Sequence, residues 1–135
     1  MAANSDAVIH TFEPNQHFAF IAHQIHQHAG LADRIDIHVG VLEKLEDFVK
    51  NHGKFDFIVL DHERWLYLND FKELERIGAI HVSTTIFADN IIYPGVPDYH
   101  EYMKHNAYYD STLYHSYNAY SNTPDGVLVS LRIAE

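Results

Sequence analysis

The chain has 135 residues, 47% of them hydrophobic, which is enough for one domain with a sizeable core and too short for two. Nine Lys and Arg against 19 Asp and Glu give a formal charge of −10, which repels phosphate backbones and anionic lipid, so nucleic acid and membrane surfaces are not expected partners. The absence of cysteine excludes disulfides, thiolate metal sites and a cysteine nucleophile, and no leader or bilayer-length apolar run is seen, so the expected setting is the cytoplasm.

Residues 1–7 are read as a disordered N-terminus of a single, partial domain spanning 1–135. Val8 to Phe12 is β-branched and aromatic enough for a strand, and Glu13-Pro14-Asn15 supplies turn chemistry and a helix N-cap. Phe18, Ile21, Ala22, Ile25 and Ala29 then share one helical face, with Gly30 where a C-terminal cap belongs. The pattern repeats. Ile35, Ile37 and Val39 alternate as a strand, and Leu42, Leu45, Phe48 and Val49 form the stripe of a helix closing at Asn51-His52-Gly53. Phe55 to Leu60 is nearly continuous in apolar residues, as in parallel strands covered on both faces.

A helix is expected from about Asn69, with Phe71, Leu74 and Ile77 inward, and then a strand from Ile80 to Ala88. Pro94-Gly95-Val96-Pro97 makes a rigid loop and His100 to His105 a short helix. The tail suggests two strands, Tyr108 to Tyr120 and Val127 to Ile133, joined through Asn122-Thr123-Pro124-Asp125-Gly126 as an antiparallel hairpin. Alternating strands and helices followed by a hairpin indicate an α/β, Rossmann-like doubly wound sheet, mostly parallel, with an antiparallel C-terminal edge.

In such sheets ligands bind beyond the carboxyl ends of the strands. Glu13 follows the first strand, where a carboxylate can accept from both hydroxyls of a ribose, although alone it reads more readily as a solvated turn residue. Asp61, Asp89 and Asn90 follow two neighbouring strands and offer three hard oxygen donors of the kind Mg²⁺ prefers. Asp and Asn are also common turn formers, and the residues by themselves leave the two readings even. Twelve histidines are scattered from His10 to His115. His17, His23, His26 and His28 cluster on the first helix, on the face away from its apolar stripe, where a solvated face accounts for them better than zinc does.

Leu60-Asp-His62, Ala88-Asp-Asn-Ile-Ile-Tyr-Pro-Gly-Val-Pro-Asp98 and Asp33-Arg-Ile-Asp-Ile-His-Val-Gly40 resemble the corresponding segments of catechol O-methyltransferases, and the resemblance runs from about Val8 to Val129. That family transfers the methyl group of S-adenosylmethionine to a catechol hydroxyl held on Mg²⁺. The resemblance implies Asp61, Asp89 and Asn90 as metal ligands, Glu13 as the ribose-binding carboxylate, Gly40 at the start of the segment lining the adenine pocket, and His62 beside the adenine. It implies Pro94 as a hydrophobic wall of the catechol pocket.

Three departures accompany it. The six glycines, at 30, 40, 53, 78, 95 and 126, do not form the family's glycine-rich cofactor turn, and only seven residues precede Val8. The strand preceding that turn is central in the family, so its absence is expected to leave two open sheet edges capable of self-association. Arg64 stands where the family has its catalytic lysine; a guanidinium holds its proton too strongly to be a good general base, though its charge can stabilise a catecholate. Ala119 stands where a carboxylate orients the second catechol hydroxyl, with Asn118 beside it as a partial substitute. The expectation is therefore a catechol O-methyltransferase-like chain with weak or absent turnover. The alternative is a catalytically inactive relative serving as a binding or interaction module.

Overall fold

In the computed structural model, residues 6–40 and 45–135 are described. They fall into two compact units, Met1–Phe48 and Val49–Glu135. The expected disorder at the N-terminus therefore falls mostly outside the described residues, as do residues 41–44 with Leu42 of the expected second helical stripe.

The first unit is a strand-helix-strand crossover. Strand β1 (Ile9–Glu13) leads through Pro14 to helix α1 (Gln16–His28), and Asn15 caps that helix by accepting from the backbone N–H of His17 at 2.9 Å and of Phe18 at 3.3 Å. The other end closes as a Schellman turn. Gly30 N–H donates to Gln27 O and Leu31 N–H to His26 O, and Gly30 takes φ 67, a left-handed value that glycine adopts without a Cβ penalty. Strand β2 (Ile35–Val39) then lies parallel to β1, with Ile9 opposite Ile35 and Glu13 opposite Val39.

The face that α1 turns inward differs from the expected one. Ala19 is buried and Ala22 and His26 are half-buried, while Phe18 and Ile25 are 58% and 60% exposed. Small side chains let the helix sit close on β1 and β2, and a two-stranded platform is too narrow to cover the larger stripe as well. Against the sheet, the strand residues His10, Phe12 and His38 form a ring cluster with Phe48 of the following helix, with centroids 4.4 Å apart for His10–Phe48 and 4.9 Å for the stacked Phe12–His38 pair.

Helix α2 (Leu45–His52) contains the division between the units. The second unit is a four-stranded sheet in the order β3-β4-β6-β5. Strands β3 (Phe55–Leu60) and β4 (Ile80–Ala88) are parallel; β6 (Pro124–Arg132) runs antiparallel to both β4 and β5 (Tyr109–Tyr117). In register across it run Ile58, Ile86, Ser130 and Ser111, then Leu60, Ala88, Leu128 and Leu113. This is the covered face, and the two serines satisfy each other at 2.8 Å.

Helix α3 (Tyr67–Arg76) and helix α4 (Pro97–Lys104) supply its cover. Fully buried Phe71 meets the rings of Tyr99 at 5.4 Å and Tyr109 at 5.5 Å edge to face. Above them Glu75 accepts from Tyr102 OH and Tyr109 OH, both at 2.9 Å, and pairs with Arg132 at 3.3 Å, joining two helices and two strands.

Four local expectations are corrected. Strand β3 is covered on one face only, since Phe57 and Val59 are 57% and 55% exposed. Helix α3 starts two residues before Asn69, because a 3₁₀ turn at Arg64–Leu66 leads straight into it and Tyr67 joins the core. Helix α4 starts at Pro97, whose fixed φ and missing N–H suit a first helical position. The final hairpin turns at 118–123, and Pro124-Asp125-Gly126 is already strand, pairing with Tyr117, Ser116 and His115.

Strand β4 also carries a bulge invisible in its composition. Phe55 pairs with Ile80 but Phe57 with Thr85, and Ser83 within the insertion has φ 84. Thr84 replaces the lost ladder bonds, donating its hydroxyl to Phe55 O at 2.6 Å and accepting from His81 N–H at 2.9 Å.

Candidate functional site at the carboxyl ends of the strands

Leu60 and Ala88 pair as the last residues of β3 and β4, and Asp89 N–H donates to Leu60 O at 3.0 Å, so Asp61 and Asp89 leave the sheet side by side. Partial burial, and then the neighbouring Asp89 carboxylate, push the Asp61 pKa above its ordinary value, with His62 acting against them. Asn90 follows with φ 56 and ψ 37, a left-handed conformation that asparagine tolerates better than most residues. Its backbone N–H donates to Asp89 Oδ1 at 2.8 Å and its side-chain Nδ2 to Asp125 Oδ2 at 2.9 Å.

These contacts fix the chemistry of the set. A carboxylate only accepts, so the carboxamide of Asn90 must turn its NH₂ toward Asp125 and keep Oδ1 for another ligand. Two carboxylates that repel each other, joined by one amide oxygen, fit a hard divalent cation that retains several waters. Among the described residues no three His, Cys, Asp or Glu side chains converge as a metal-binding group, so a cation here depends on Asn90 as third donor.

Asp125 is the residue that sequence reasoning missed. It is only 2% exposed, and its Oδ1 accepts from the backbone N–H of Tyr93 at 3.0 Å, Ile92 at 3.3 Å and Gly126 at 2.7 Å. Burial works to raise its pKa, but the donors on Tyr93, Asn90, Gly126 and Ile92 together outweigh it and hold the carboxyl below its ordinary range. Pro-Asp-Gly reads locally as a turn, and only the register of β6 against β4 and β5 reveals a strand start beside Asn90. Gly126 permits the approach: a Cβ there would stand 3.0 Å from both Ile92 Cδ1 and Leu113 Cδ1 and 3.1 Å from Tyr114 O.

His62 Nε2 lies 2.8 Å from Asp70, and its ring stacks on buried Tyr67 at 4.9 Å. Burial, and next Asp61 and Asp89, push the Tyr67 phenol far above its ordinary value. Arg64 begins the 3₁₀ turn, sits 5.9 Å over the ring of exposed Trp65, and lines a cleft of about 240 Å³ with Trp65, Leu68, Asn69 and the segment Gly95 to Tyr99. Pro94 is exposed and follows Tyr93 through a cis peptide bond; its neighbours Gly95, Val96 and Pro97 line that cleft. Asn118 closes the β5–β6 turn, where its backbone N–H donates to Thr123 O at 2.9 Å and its Oδ1 accepts from Tyr120 N–H at 3.2 Å. Ala119 beside it is exposed.

In the first unit Glu13 and Gly40 come together at the carboxyl ends of β1 and β2, where Gly40 N–H donates to Glu13 O at 3.2 Å and Gly40 has φ 137. Glu13 Oε1 accepts from Asn15 N–H at 2.7 Å. The carboxylate is thereby oriented at the strand end, with acceptor capacity suited to a diol. The rest of the expected adenine segment, 41–43, lies outside the described residues.

Comparison with known proteins follows the same lines. The family model described as "O-methyltransferase" matches residues 1–111. "Catechol O-methyltransferase B" of Danio rerio is 37% identical over 120 residues, covering 87% of this chain and 46% of the relative, so the chain spans less than half of that relative's length. Among solved structures, an O-methyltransferase from Bacillus cereus in complex with SAH has a TM-score of 0.80 at 19% identity, covering 96% of this chain and 64% of that one. The O-methyltransferase TomG from Streptomyces achromogenes, in complex with SAM, gives 0.82 at 18%, covering 97% and 64%. These two likenesses bear on the fold alone: an α/β methyltransferase sheet with antiparallel C-terminal strands. The chain belongs to the O-methyltransferase family.

Proposed function

We propose that the protein transfers a methyl group from S-adenosylmethionine to a hydroxyl of a catechol, with Mg²⁺ held by Asp61, Asp89 and Asn90, and that this chain alone turns over slowly. The observation that carries the proposal is the emergence of Asp61 and Asp89 from paired strand ends with the Asn90 carboxamide held in one orientation. The catechol O-methyltransferase relative supports it, and the neighbours solved with SAH and SAM share its fold. When bound, the cofactor supplies an electrophilic methyl group and the cation makes a coordinated hydroxyl more acidic.

This chain's own residues would then divide the work. Glu13 accepts from ribose hydroxyls. Arg64 holds a catecholate by charge but removes no proton, because its guanidinium stays protonated. Asn118 contributes little at the second hydroxyl while its Oδ1 serves Tyr120. The proposed setting is cytoplasmic, supported by the absence of cysteine; no helix among the described residues is long and apolar enough to cross a membrane.

Arg64 and the engaged Asn118 also favour a second reading, a catalytically inactive relative serving as a binding or interaction module. Calorimetric titration of S-adenosylmethionine into the folded protein with Mg²⁺ present separates the two. Stoichiometric binding is the expected result. No binding by a protein that circular dichroism finds folded would contradict cofactor-dependent transfer by this chain and leave the second reading.

A further inference from the structure

We infer that Asp125 is a positioning residue for the cation site, setting which atom of Asn90 faces the metal. The inference rests on the metal reading above and adds to it a residue that is not itself a ligand. An asparagine side chain has two ends of nearly equal shape and opposite chemistry, one oxygen that ligates a cation and one NH₂ that repels it. Nothing in the shape of the pocket needs to choose between them; a hydrogen-bond partner must. Asp125 makes the choice, because Oδ2 of its carboxylate, 2.9 Å from Nδ2, tolerates only the NH₂ end.

The carboxylate itself is held on its other oxygen. Oδ1 accepts three backbone N–H groups, from Ile92, Tyr93 and Gly126, so the side chain is locked between the loop after β4 and the start of β6. It is 2% exposed, and Gly126 leaves the room for the loop to close over it. The two oxygens thus have separate duties: Oδ1 fastens the loop and Oδ2 orients the ligand. Partners of metal ligands that fix ligand orientation typically account for 10–100-fold in metal affinity.

That division of labour can be tested without turnover. Asp125→Asn keeps an oxygen for the three backbone donors and puts an NH₂ opposite Asn90, which must then flip and present nitrogen to the cation. With Mn²⁺ as the probe, followed by the loss of free-ion signal in electron paramagnetic resonance, Asp125→Asn is expected to weaken binding by about 10–100-fold. Its thermal midpoint should stay close to that of the parent. Adding Asn90→Asp to Asp125→Asn reverses the hydrogen bond, returns an oxygen to the site and keeps the charge count, so affinity should recover.

An Asp125→Asn affinity within threefold of the parent would overturn the inference, as would a loss that the double variant does not recover. A weakened Mn²⁺ affinity that merely tracks a lowered thermal midpoint would assign Asp125 to loop stability and overturn it too. If the parent protein itself bound no Mn²⁺, the metal reading would fail first and the inference with it, an outcome distinct from a parent that binds and a variant that binds equally well.

Discussion

Arg64 is the residue on which the rate of the proposed reaction turns. It lies in the 3₁₀ turn three residues beyond Asp61, lines the cleft shared with Gly95 to Tyr99, and carries a charge that no accessible pH removes. A lysine can lose its proton when its surroundings lower its pKa, and general bases typically contribute ~10²–10⁴-fold. Arg64→Lys should therefore raise single-turnover methylation of a catechol by about 10²-fold or more, at the low end of that range if Ala119 still leaves the second hydroxyl unoriented. An unchanged or lower rate would mean that proton removal does not limit this chain. At this scale the sequence was legible where chemistry follows directly from position after a strand: Asp61, Asp89, Asn90 and Glu13 all sit at strand ends, and the Asn15 cap is where its turn chemistry puts it. Asp125 was not legible, since its role comes from a partner 35 residues earlier that only strand register brings to it.

At the scale of elements, strand and helix order was readable because β2 alternates, β3 is a nearly continuous apolar run and α3 carries its apolar residues at helical spacing. Which face an element buries was less so. Helix α1 turns Ala19 rather than Phe18 inward and β3 hides Ile58 rather than Phe57, outcomes decided by what lies opposite and not by periodicity. The cover of the larger sheet is a set of tyrosines, and it has a pH signature. Burial above all, joined by Glu75 for Tyr109 and by neighbouring tyrosines and Glu75 for Tyr99, pushes the phenols of Tyr67, Tyr99 and Tyr109 far above their ordinary 10.0.

The unfolded chain loses phenolic protons from about pH 10, whereas the folded one keeps these three. Their contribution to stability is therefore complete below pH 10 and falls away as pH rises through the gap between unfolded and folded values. A spectrophotometric titration should find that part of the phenolate signal of the nine tyrosines appears only as near-ultraviolet circular dichroism is lost. Full ionisation near pH 10 with the fold intact would contradict the packing described for Phe71, Tyr99 and Tyr109.

For the whole molecule, family membership and the candidate site meet in one stretch of chain. The O-methyltransferase match covers residues 1–111, and the strand ends within that range carry the oxygen donors of the proposed metal site; Asp125, which orients one of them, lies beyond it. The most direct measurement is the binding of a vicinal diol, because it asks about metal and acceptor together and is indifferent to the rate of transfer. Saturation-transfer magnetic resonance with 3,4-dihydroxybenzoate, and with 3-hydroxybenzoate as the single-hydroxyl control, should detect the diol only with Mg²⁺ present. The signal should vanish with chelator or with Asp89→Ala, and the control should bind weakly throughout. Equal binding of both compounds, unaffected by Mg²⁺ and by Asp89→Ala, would contradict a metal-held catechol site at the ends of β3 and β4.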